Sequence, residues 1–152
     1  MANSQALCTS FKVDMLNGIH AFGTTVVRAG TTKDTFNGAL YLASGSLGAA
    51  TTAYSATSEV PNSGSYTAGG IAMTNATAPT STGTTAFWTP SASWTTGSGF
   101  SATAFDTLLI YNSTQSNKAV GVYTFGSQTI VSGTFTLTMP TNDATHAIIQ
   151  IA

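Results

Sequence analysis

The acid–base inventory of this chain is small: five carboxylates (Asp14, Asp34, Glu59, Asp106, Asp143) and two histidines (His20, His146). The carboxylates fall one to a segment, so none has the local acidic neighbour that glycoside hydrolysis would use. Cys8 is the only cysteine, and no His, Cys and carboxylate residues recur at metal-ligand spacing. Gly45-Ser46 and Gly97-Ser98-Gly99 read as turns, since neither sits in the strand–Gly-x-Ser-x-Gly–helix context of a nucleophile elbow. A Ser-His-Asp set assembled only by the fold is the one hydrolytic arrangement that spacing leaves open. The expectation is a protein that is not an enzyme, with no cofactor and no metal. Phe87, Trp88, Trp94 and Tyr111 could form an aromatic platform for sugars, but aromatics at alternate strand positions more often fill a core. His20, just after a candidate helix, is expected to cap its carbonyls.

Composition narrows the partners. Charged residues make up 6% of 152 residues, against about 25% in ordinary soluble domains. The polar surface must therefore come from Thr, Ser, Asn and Gln. With a net charge of −1, little electrostatic repulsion keeps copies apart, which suits life in an assembly. Four basic residues give no footprint for nucleic acid. No apolar run approaches the ~20 residues of a membrane span. A lone cysteine allows no intrachain disulfide. The N-terminus lacks the basic start and apolar core of a secretory signal, so synthesis and assembly in a cytoplasm are expected.

The elements that would position any site are mostly strands. Residues 4–17 suggest a helix, with Ser4 as N-cap, Leu7, Phe11 and Met15 at four-residue spacing, and Gly18 at C′. Residues 24–29 read as a strand and 30–34 as a loop. Residues 35–44 read as a strand with a bulge at Gly38. Residues 47–60 read as a long surface excursion with room for one helical turn. After a turn at 61–65, residues 66–73 form a strand whose Gly69-Gly70 pair marks a bulge or a close backbone approach. Short strands are expected at 84–88 and 91–95. The densest signal runs over 104–139: a doubly buried strand (105–111), a polar connection, a strand at 119–125, and a turn at Gly126-Ser127. A short strand at 128–131 and the alternating 134–139 complete an antiparallel meander. Residues 147–151 close a sheet.

No linker interrupts the chain, so residues 1–152 read as one domain. The fold class is all-β, a single jelly-roll-like sandwich of eight to nine strands over 24–152, with an N-terminal arm or helix over 1–22.

Ser10-Phe11-Lys12 and Leu16-Asn17-Gly18-Ile19-His20-Ala21-Phe22 resemble the opening of a family of small tailed-bacteriophage structural proteins. The resemblance continues through Ala39-Leu40-Tyr41, Tyr54, Ser58-Glu59-Val60, Tyr66-Thr67-Ala68-Gly69-Gly70, Ile110-Tyr111-Asn112 and Asn117-Lys118-Ala119-Val120. The chain departs from that pattern in a longer stretch over 24–32. The resemblance implies a virion component without an enzymatic site. It leaves open whether the place is head or tail. The expected role is a capsid decoration (cement) protein on the capsid surface, whose partners are the major capsid protein and its own copies as dimer or trimer. A tail or head-fibre component acting in host attachment is the alternative. The segments richest in isolated bulky residues, with Leu7, Phe11, Leu47 and Tyr54, are the expected contacts. Coverage of the protein's own sheet edges is the competing use of those segments.

Overall fold

The structure is a computed structural model that describes residues 2–16, 18–23, 33–74, 77–90 and 93–152. Along the chain its elements are β1 (Ala6–Leu7), α1 (Thr9–Leu16), β2 (Phe36–Leu42), β3 (Ile71–Met73), β4 (Thr80–Thr82) and β5 (Thr85–Trp88). They continue with β6 (Ser93–Thr95), β7 (Phe100–Asn112), β8 (Lys118–Gly133), β9 (Thr136–Thr138) and β10 (Ile149–Ile151). All pairings among the described residues are antiparallel. The strands form a five-stranded sheet β1-β8-β7-β2-β3, a three-stranded sheet β10-β5-β4 and the pair β6-β9. The class is all-β and sandwich-like, as the alternation and turn spacing require. The strand expected over 24–29 lies outside the described residues.

The apolar run of β7 takes the central place its composition demands. Phe105, Leu108, Leu109 and Ile110 are buried, and the strand is flanked by β2 and β8. The inward face of residues 134–139 is as the alternation indicates: Phe135, Leu137 and Met139 pack against the core while their neighbours face solvent.

The meander itself is not formed. β8 runs unbroken through Gly126-Ser127, and β9 leaves the hairpin to pair with β6. Register explains the misreading. Between the Phe105↔Gln128 and Thr107↔Thr124 pairs, β8 spends two more residues than β7, and Gly126-Ser127 lie in that bulge. The compensating extra residue on β7 falls between Ala102 and Phe105, where Ala104 adopts φ 50°. A glycine at a bulge and a glycine at a turn give the same local signal.

The N-terminal helix is shorter than the sequence suggests. Residues 6–7 are extended and pair with Gly121 and Val122 of β8, and the Cys8 N–H donates to Val120 O at 3.2 Å. Satisfying β8's outer edge outweighs one more helical turn. The helix end is as expected. Gly18 (φ 66°) donates to Met15 O at 3.0 Å and Ile19 N donates to Asp14 O at 2.9 Å, a Schellman motif.

Residues 47–60 hold no helix and are not a free excursion. Ala119 N donates to Thr52 O (3.0 Å) and Tyr54 N to Asn117 O (2.9 Å), which extends the cover of β8's edge. Val60 N donates to Leu40 O and Leu42 N to Ser58 O, both at 2.9 Å, so residues 58–60 cover β2 where β3 stops. Gly38 is no bulge; the β2 irregularity lies between Tyr41 and Leu42. A Cβ at Gly38 would press on the movable end of Met73 and on Leu108. Gly70 (φ 74°) faces Gly38 so closely that a Cβ would lie 2.0 Å from Gly38 O. The strand expected over 66–73 is thereby confined to residues 71–73, since Gly69 and Gly70 both have positive φ.

Leu109 is fully buried at the centre of β7. Leu109→Ala is expected to cost about 2–5 kcal/mol as a cavity mutation. Urea unfolding checks this through a lowered midpoint at unchanged slope.

Candidate contact surface and buried polar networks

The four expected contact residues separate into two pairs. Leu7 on β1 and Phe11 on α1 border one groove, with Met15, Ile149, Gln150 and Ile151 among its other walls. Its volume is about 450 Å³. It lies where the outer strand of the large sheet (β1) and the outer strand of the small sheet (β10) come near each other. Phe11 is buried, Leu7 is half-buried, and Ile151 keeps 48% of its surface exposed. A second hollow of about 100 Å³ shares Met15, Ile149 and Ile151 and reaches Trp88 and Phe22, so an apolar strip continues along the sheet end. Sequence reasoning missed Ile149 and Ile151 as walls of a groove, the first buried and the second half-exposed. The signal was present, since two isoleucines two apart on a terminal strand share one face.

Leu47 and Tyr54 do not line the groove. Leu47 is half-buried and held through its backbone, its N–H donating to Asn3 Oδ1 (2.9 Å) and its carbonyl accepting from Ser4 N (2.9 Å). Tyr54 stacks on Tyr111 at 4.8 Å between ring centroids and donates to Glu59 Oε2 at 2.6 Å. Both serve the protein's own edges.

That tyrosine belongs to a clasp around Glu59. The carboxylate is buried and also accepts from Tyr66 OH (2.7 Å) and Gly69 N (2.7 Å). Tyr66 OH is shared further, accepting from Leu40 N at 3.0 Å. Tyr111 OH accepts from Asn37 Nδ2 and donates to Gly69 O, and Tyr41 OH donates to Ser55 O. Burial first, then the bond to Glu59, pushes the Tyr54 and Tyr66 phenols well above their usual range. They are therefore donors at any ordinary pH, and Glu59 is their shared acceptor.

A second network surrounds His20. It does not cap α1. Its side chain is fully buried, packed on Phe11 (4.9 Å between centroids) and near Phe22 and Phe36. Its Nδ1 lies 3.0 Å from Asn112 Nδ2, and its Nε2 lies 3.8 Å from Asp14 Oδ2. Lys118 Nζ pairs with Asp14 at 3.0–3.1 Å. Asp34 accepts from Ala21 N, Asn112 Nδ2 and Gln115 Nε2. The aromatic residues considered as a sugar platform are core: Trp88, Phe87 and Tyr111 are buried, and Trp94 is half-buried against Tyr66.

The other titratable groups are local. Asp143 accepts from the hydroxyls of Thr141 and Thr145 (both 2.7 Å) and from the N–H groups of Thr145 and His146, closing one exposed turn. Those bonds hold its carboxyl well below the usual range. Among the described residues, no three His, Cys, Asp or Glu side chains group as metal ligands. Likewise among them, no helix is long and apolar enough to cross a membrane.

Two outcomes follow from this geometry. Glu59→Gln offers the clasp one carbonyl oxygen and a misplaced donor, and is expected to cost about 1–3 kcal/mol in a urea melt. Burial pushes the Cys8 thiol up to about 11, so it is expected to stay protonated and silent to a thiolate-selective reagent at neutral pH until urea unfolds the chain. Since an unfolded cysteine loses its proton near ~8.5, this contribution to stability is complete below that pH and is lost as pH rises toward about 11. A melt series at rising pH reads the decline.

Comparison with protein-family models, with curated proteins and with solved structures finds no match.

Proposed function

We propose that this chain is a structural protein of a many-copy assembly, and specifically a decoration (cement) protein on the outer face of a tailed-bacteriophage capsid. The observation that carries the reading is the apolar strip of Leu7, Met15, Ile149 and Ile151 on a chain with only 6% charged residues. A surface so poor in charge offers few ion pairs to a partner, and exposed pairs contribute only about 0–1 kcal/mol each. Attachment would rest on apolar and backbone contacts, with the major capsid protein and neighbouring copies of the chain as partners. The resemblance of Ser10-Phe11-Lys12, residues 16–22, Ser58-Glu59-Val60 and residues 66–70 to phage structural proteins supports the choice of particle.

Purified protein added to undecorated capsids tests this. Binding is expected to persist from ~0.1 M to ~1 M salt, where the screening length falls from about 10 Å to about 3 Å. Leu7→Ser with Ile151→Ser is expected to weaken attachment more than it lowers the melting temperature. Quantitative mass spectrometry of virions should find hundreds of copies per particle. Release by salt alone, or copy numbers in the tens, would overturn the reading in favour of a tail or fibre component.

A further inference from the structure

The end of β7 fixes the protonation state of the buried histidine. Asn112 Oδ1 accepts from the backbone N–H groups of Thr114 and Gln115, each at 3.1 Å, which decides which side of the amide is oxygen. Its Nδ2 then faces Asp34 Oδ2 at 2.8 Å and His20 Nδ1 at 3.0 Å. An amide nitrogen only donates, so His20 Nδ1 must accept and the ring proton sits on Nε2. An imidazolium carries N–H on both nitrogens and would set one donor against another at Nδ1. Flipping the Asn112 amide would relieve that clash only by breaking its bonds to Thr114, Gln115 and Asp34.

We propose that His20 is a proton-operated latch joining the N-terminal segment to the base of the β7–β8 hairpin. The neutral ring ties the turn after α1 to Asn112; the protonated ring cannot. Among the described residues, the charged groups facing it are Asp14 from α1, Lys118 from β8 and Asp34 from the stretch before β2. Asp14 favours a proton on the ring, but Lys118 sits 3.0 Å from the same carboxylate oxygen and offsets it. Asp34 has its oxygens committed to Ala21 N, Asn112 and Gln115. Among the described residues, the rings of Phe11, Phe22 and Phe36 also lie against His20.

The direction follows from linkage. An unfolded histidine takes up its proton near about pH 6.5, whereas the latched ring stays neutral. Below that pH the unfolded chain binds more protons, so stability falls as pH falls, by up to about tenfold in the unfolding equilibrium per pH unit. Phe11 and Met15 on α1 also wall the groove, so opening the latch would alter that face. The latch stands whether or not the groove binds a capsid.

The test is urea unfolding from about pH 7.5 to about pH 5, in the ordinary imidazole range. The wild type and His146→Ala are expected to lose stability over that range, and His20→Gln to be flat. Because His20→Gln could fail to fold, nitrogen-15 NMR of the wild-type imidazoles is the second measurement. It is expected to show His20 with its proton on Nε2 and still neutral in the folded protein at about pH 5.5. A flat wild-type profile, a slope that survives in His20→Gln, or a folded His20 imidazolium would each overturn the proposal.

Discussion

The constraint on which the rest depends is the open edge of a β-sheet. β8 and β2, which flank the buried β7, each present a row of backbone donors and acceptors on their outer sides. Natural sheets often guard such rows with lysines or inward charges. A chain with four basic residues cannot do so along two long strands. It covers the start of β8 and the end of β2 with its own backbone instead. Residues 6–8 and 52–54 line β8, while residues 58–60 carry on along β2 beyond β3. The small, polar composition of 47–60 follows from this use, since a segment laid along a strand needs compact side chains and available backbone bonds.

Covering an edge with loop creates a further demand, because the loop itself must be held. Ordering each backbone residue costs about 1–2 kcal/mol, and little apolar area is gained by residues such as Ala, Ser and Thr. The clasp around Glu59 answers this with short, charge-assisted bonds from two tyrosines and one backbone N–H. Those donors arrive from residues 54, 66 and 69, so one carboxylate ties the later part of the covering stretch to the segment that follows it. At the other end, Asn3 does similar work. Its amide bridges Leu42 O, Asp106 Oδ1 and Leu47 N, joining the N-terminus to β2, β7 and the start of the cover.

Sequence alone made the class of fold legible, and for a physical reason: period-two burial is a local property. The inward side chains of 134–139, the doubly buried β7, the strand near 85–88, the closing strand at β10 and the helix stop at Gly18 all follow from neighbours in the chain. What was not legible depends on residues far apart. Asn112 meets His20 across 92 positions and Asp34 across 78, and neither spacing leaves a local mark. Gly126-Ser127 misled because the twist of a long hairpin is absorbed by bulges that use turn residues. The four-residue spacing of Leu7, Phe11 and Met15 suggested one helix. In the fold the three still share a groove, with Leu7 reaching it from a strand and the others from α1.

The separation of the expected contact residues has a common origin with edge closure. Tyr54 and Leu47 are consumed inside the protein because the excursion they lie on is needed along β8 and β2. Leu7 remains half-exposed because β1 is itself an outer strand, with nothing hydrogen-bonded beyond it among the described residues, while Phe11 on α1 is buried beneath the same groove. β10 is outer in the same sense on the smaller sheet, and its burial runs out between Ile149 and the half-exposed Ile151. Two incomplete edges, one from each sheet, thus come together at one end, and apolar side chains rather than charges mark the place. A partner recognising such a face would be selected by shape and by its own uncharged backbone, since electrostatic steering has almost nothing here to act on.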